Sequence, residues 1–268
     1  MAENARLGGQ VMTVQAVAGA SRPSQPFAPY HVWDRNFFLT LVGLTWLGIV
    51  SGFGLDVIDH IHNGTQSYPP IVHVHALFFV GWLVLLTAQL LLIRTRRLDV
   101  HRRLGMAAAW LIPVMVVIAL ATAWTVQRQV APLPGPHRPQ FISINLTDML
   151  GFATLAGTGI MLRRDPSAHK RLMLLSTLYL STAGFARLWL ITVGPGGTDS
   201  FWGFFLAYNL GGDILVAMLG LYDLATRGRL HPAYVLGGGW ILVNELAAAW
   251  LFFSPGWKAI SIRILGLS

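Results

Sequence analysis

The chain has 268 residues, 54% hydrophobic and only 11% charged, with no cysteine and a formal charge of +8. A soluble domain carries about 25% charged residues, so this composition sets the chain apart from soluble enzymes and makes a membrane protein the first expectation, with the lipid bilayer as its surroundings. The missing cysteine excludes disulfides, thiolate metal sites and thiol catalysis. No nucleic-acid partner is expected, because the basic residues lie in short loops between apolar runs.

Residues 1–36 are polar, and their weak apolar run is interrupted by Thr13, Gln15 and Gly19. They read as a flexible cytoplasmic tail rather than a signal peptide. Seven apolar runs follow: Phe37–Leu55, Ile71–Ile93, Gly105–Val126, Phe141–Leu162, Leu172–Val193, Phe201–Ala225 and Ala233–Phe253. Each is close to the roughly 20 residues that an α-helix needs to cross a bilayer. Continuous apolar runs lack the alternation of barrel strands, so the expected fold is all-α and polytopic, with seven transmembrane helices over residues 37–254. Residues 255–268 are expected to form a short outer tail.

Loop charges set the expected orientation. Arg6, Arg22 and Arg35, then Arg94, Arg96, Arg97, Arg102 and Arg103, then Arg163, Arg164, Lys170 and Arg171, then Arg227 and Arg229 fall on one side; Arg128, Arg138, Lys258 and Arg263 fall on the other. Positive residues stay inside, which places the N-terminus in the cytoplasm and the C-terminus outside. After a lone first helix, the remaining spans pair into three hairpins, each with a histidine opening the return helix: His101 in H-R-R-L-G, His169 in H-K-R-L-M and His231 in H-P-A-Y-V. Asn145-Leu-Thr-Asp148 and Asn209-Leu-Gly-Gly-Asp213 echo each other. Both features suggest duplication of a two-helix unit.

An ionisable group inside a span is costly unless paired, hydrated or bound to something. The spans contain His73, His75, Asp148, Arg187, Asp213 and Glu245. His73, His75, Asp148, Asp213 and Glu245, with His60 and His62 as additional candidates, are the expected ligands of a divalent metal such as zinc, copper or iron. Haem b is the weaker alternative, because only the second span carries intramembrane histidines. Arg187 is expected to balance charge, pairing with Asp148 or Asp213. Trp82, Gln89, Asn145 and Asn209 are expected to hold helices together. His101, His169 and His231, at helix mouths among Arg and Lys, read mainly as interfacial contacts, with convergence on a ligand as the alternative.

The stretch from His73-Val-His75 through Trp82 and Gln89 to His101-Arg102-Arg103-Leu104-Gly105, with His169-Lys-Arg-Leu-Met following, resembles an uncharacterised bacterial family of multi-span membrane proteins. That resemblance implies a multi-span protein of a bacterial inner membrane and imports no mechanism. Seven spans with His and Asp are also distantly similar to membrane-embedded zinc amidohydrolases of the alkaline ceramidase type. The paired histidines that such enzymes carry on the final span are missing here.

The leading functional expectation is a metalloprotein or redox protein with a polar His/Asp/Glu site toward the outer face. An accessory subunit of a larger membrane complex and a small transporter or proton pathway are the alternatives.

Overall fold

The computed structural model describes residues 27–63, 68–131 and 138–267. The expected N-terminal tail therefore lies outside the described residues as far as residue 26. Among the described residues all regular structure is helical: α1 (Asp34–His62), α2 (Pro70–Arg94), α3 (Leu98–Val130), α4 (Ile142–Met161), α5 (Pro166–Thr192), α6 (Phe201–Arg227), α7 (Pro232–Phe253) and α8 (Pro255–Leu265), with one 3₁₀ turn at Pro139–Phe141.

Six helices, α1, α2, α3, α5, α6 and α7, are long and apolar enough to cross a membrane. The seventh expected span falls on α4, which has 20 residues. Ser143, Asn145, Thr147, Asp148, Thr154 and Thr158 lie along it. Two further boundaries differ from expectation. Asp56–His62, past the expected end of the first span at Leu55, continues α1. The expected C-terminal tail carries α8, which Ser254 caps. Trp257 Nε1 donates to the Gln140 carbonyl at 3.2 Å, and Arg128 donates to the Leu265 carbonyl at 2.9 Å. These bonds tie α8 to the 3₁₀ turn and to the end of α3.

Local chemistry explains where several helices start. Asp165 accepts from the Ser167 and Ala168 amides at 2.9 and 3.1 Å, just ahead of Pro166. The His231 ring nitrogen accepts from the Ala233 amide at 3.0 Å, just ahead of Pro232. Both satisfy amides that the first turn leaves unbonded, and proline suits the first helical position because it lacks one.

Helix α5 is the hub, packing on α1, α4, α6 and α7. In its most apolar 18-residue window 56% of residues are buried, against 17% in α2, which puts α5 inside the bundle and α2 at its rim. Helix α2 packs with α3, and α4 with α5, whereas α6 lies mainly on α5 and α7 mainly on α4. The α1–α5 crossing is close because both sides are glycine. A Cβ on Gly52 would overlap the Gly184 carbonyl, and one on Gly184 would overlap the backbone of Gly48 and Ile49. Small residues at such a crossing let backbones meet and gain dispersion contacts.

At the end of the bundle where the basic loops lie, charges are paired. Arg171 and Asp223 are fully buried and joined twice, by Nε to Oδ2 at 2.6 Å and by Nη2 to Oδ1. Asp34, at the start of α1, accepts from Lys170 at 2.7 Å, from Arg227 at 2.9 and 3.0 Å and from the Tyr222 hydroxyl at 2.6 Å. The segment just before α1 is strapped down as well. Lys170 donates to the Pro29 carbonyl at 2.7 Å and Arg227 to the Ala28 carbonyl at 3.1 Å. The Phe27 ring lies 4.6 Å from the Arg171 guanidinium.

Candidate functional site

At mid-depth the bundle has a different character. Asp148 on α4, Tyr179 on α5, Asp213 on α6 and Glu245 on α7 come together from four helices. Helix rise places Asp148, Glu245 and Asp213 ~9, ~12 and ~18 Å from the far ends of their helices, those away from the basic loops. Gly151 makes room on α4: the Tyr179 ring occupies the space that a Cβ there would need. That packing brings the Tyr179 hydroxyl beside Asp148 and Thr147, without closing a hydrogen bond of ordinary geometry to either. Glu245 is only 2% exposed. Both its carboxyl oxygens lie buried without a donor, while its carboxyl is within reach of Asp213 and in the field of Asp148. Next to it, Asn244 turns its amide to the Trp240 carbonyl at 2.7 Å and does not serve Glu245.

Among the described residues no cation pairs with these acids. The expected pairing of Arg187 with Asp148 or Asp213 is not formed. Its Nε lies 3.6 Å from Asp56 on α1, its guanidinium sits 4.2 Å over the Phe53 ring, and it donates to the Ala183 carbonyl at 2.9 Å. Arg187 does balance a carboxylate, but a half-exposed one near the end of α1. Spacing along α5 gives the depth of Arg187 and not its direction. The close α1–α5 crossing turns it toward α1.

The histidines do not join the acids either. His73 is exposed and His75 half-buried, its ring stacked on Phe79 at 4.0 Å. His60 stacks on Tyr68 at 4.0 Å, and the His62 ring nitrogen bonds the Ile58 carbonyl of its own helix at 3.0 Å. Among the described residues no three His, Asp or Glu side chains adopt a metal-holding arrangement. The expected set of His73, His75, Asp148, Asp213 and Glu245 is thus divided. The acids gather between α4, α6 and α7, and the histidines stay on the rim helix α2.

Trp82 is 2% exposed, donates to the Thr177 hydroxyl at 3.0 Å and meets Phe152 edge-on at 5.0 Å. It pins α2 to α5 and α4. Gln89 is half-buried, with its amide oxygen enclosed and lacking a donor. Asn145 and Asn209 are half-buried on α4 and α6. Of the three helix-mouth histidines, His101 and His169 come together with ring centroids 6.4 Å apart, while His231 caps α7 with its ring edge-on to Phe27 at 4.6 Å.

Sequence reasoning passed over Tyr179, Asp34 and Asp223. Tyr179 carried no signal, being one aromatic among many in apolar runs. Asp223 had one: it stands four residues before Arg227, a spacing that places the two on one helix face.

The fold and site define an all-helical protein whose long apolar helices enclose a cluster of acids. Compared with known proteins, the chain matches no family model, no curated protein and no solved structure significantly.

Proposed function

We propose that this is a multi-pass protein of a bacterial inner membrane in which α1 to α7 all cross, with the basic end and the N-terminus in the cytoplasm and the C-terminus outside. Its function on this reading is to bind and pass protons through the cluster of Asp148, Tyr179, Asp213 and Glu245. The observation that carries this is Glu245: buried, without a donor on either oxygen, and facing a second carboxyl. Two carboxyls in contact repel unless a proton lies between them. Such a pair takes up and releases one proton as a unit. Ionisable residues that face the bundle interior are the usual components of proton relays in pumps and transporters. Asp148 and the Tyr179 hydroxyl extend the chain of exchangeable groups toward α4 and α5.

Proton uptake into proteoliposomes, followed with an enclosed pH dye under an imposed potential, tests the reading. Wild-type protein is expected to acidify the lumen, Glu245→Gln to abolish uptake, and Asp213→Asn and Asp148→Asn to slow it by an order of magnitude or more. Uptake by Glu245→Gln at the wild-type rate would remove the proposal. The same preparations discriminate the metal reading. A stoichiometric divalent ion that is retained by wild type and lost from Glu245→Gln would make the three carboxyls ligands instead of relays.

A further inference from the structure

We propose that His101, His169 and Met173 form a binding site for a cuprous ion at the basic end of the bundle, distinct from the acid cluster. His101 lies in the first turn of α3 and His169 in the first turn of α5. Their ring centroids stand 6.4 Å apart with planes at 87°. A metal bound to an imidazole nitrogen at about 2 Å lies about 3 Å from that ring's centroid, so two rings on opposite sides of one ion stand about 6 Å apart. The observed spacing fits a near-linear pair.

The His169 ring has one nitrogen steered by a backbone carbonyl. His169 Nδ1 lies 2.7 Å from the Gly159 oxygen. A carbonyl only accepts, so Nδ1 carries the proton and Nε2 keeps its lone pair. His101 lies beside the Gln89 backbone, and its Nδ1 is buried without a partner. A carbonyl on one nitrogen, with the other left over, is the outer-shell arrangement that orients metal-ligating histidines.

Met173 follows His169 by one turn, on the same face of α5. Its Sδ would come within 2.9 Å of a Cβ at Gly159, the residue whose carbonyl holds His169. The glycine leaves the thioether room at the α4–α5 contact, one turn from His169.

The choice of ion follows from donors and charge. Two imidazoles and a thioether form a soft to intermediate set that suits copper. Arg102 and Arg103 neighbour His101 in sequence, and Lys170 neighbours His169. A monovalent ion meets half the repulsion from these cations that a divalent one meets.

The test is titration of the purified full-length protein, in mild detergent under reducing conditions, with Cu(I) against a chromogenic chelator. One equivalent is expected to bind. His101→Asn and His169→Asn are each expected to weaken binding at least about tenfold, Met173→Leu to weaken it less, and His231→Ala to leave it unchanged. X-ray absorption of the copper-loaded wild type is expected to show two imidazole nitrogens and one sulfur, a readout that does not depend on any variant folding. Absence of stoichiometric binding, wild-type affinity in both asparagine variants, or a spectrum without imidazole would overturn the site. Tighter binding of Zn(II) than of Cu(I) would overturn the choice of ion. His101→Asn is also expected to keep proton uptake, so the two proposals fail separately.

Discussion

The two polar regions of this bundle handle buried charge in opposite ways. At the basic end, Arg171 meets Asp223, and Asp34 meets Lys170 and Arg227. At mid-depth, Asp148, Asp213 and Glu245 gather with no cation among the described residues, and Glu245 finds no donor among them. The first arrangement is what a scaffold needs, because buried ions persist when paired and fully hydrogen-bonded. The second adds little as a scaffold: an enclosed carboxyl without a partner costs stability. A cluster that weakens the fold it sits in is the better candidate for function.

Substitutions sharpen this contrast, beginning with the largest effect. Arg171→Ala leaves Asp223 enclosed with only Arg227, 3.6 Å away, beside it, and is expected to cost on the order of 3 kcal/mol. Thermal unfolding of the detergent-solubilised protein reads the loss. Replacing both partners together, by Arg171→Met with Asp223→Leu, should recover most of it.

A smaller loss is expected from His231→Ala, about 1 kcal/mol, because it removes the acceptor that caps α7. This contribution depends on pH. Burial, and after it the positive field of Arg171, holds the His231 imidazole below its ordinary value of 6.5. The folded state therefore keeps the ring neutral, as its acceptor role requires, while the unfolded chain takes up a proton near the ordinary value. The cap contributes fully above that value and is lost as pH falls through it toward the lowered one. Wild type and His231→Ala should accordingly differ in unfolding temperature at pH 8 and converge at pH 5.

The smallest stability change is expected at the acid cluster. Glu245→Gln should shift stability by no more than about 1 kcal/mol, in the stabilising direction, because it replaces an enclosed acid with a neutral amide. Unfolding on the scale of the Arg171 variant would mean that Glu245 holds the fold together, and the contrast between the two regions would disappear.

Several features of the fold were legible in the chain because they depend on local chemistry. Pro166 after Asp165 opens α5, ahead of the expected start at Leu172, and Pro232 after His231 opens α7. The apolar runs correspond to helices, six of them long and apolar enough to cross a membrane. Asn145 and Asp148 were equally readable within the run that became α4, and the structure sets that helix among α3, α5 and α7. The candidate site was legible only in part. Asp148, Asp213 and Glu245 stood out because each is an acid in an apolar run. Their separation from His73 and His75 did not stand out, nor did the turn of Arg187 toward Asp56.

Sequence by itself determined the class of protein, the helices and the acids that the interior must accommodate. A long apolar run has one stable form away from water, and that choice is made within a few turns of chain. Tertiary structure alone decided which polar groups meet. Side-chain direction depends on how each helix is rotated against its neighbours, and that rotation is set by contacts far apart in sequence, such as Gly52 on Gly184 and Gly151 under Tyr179.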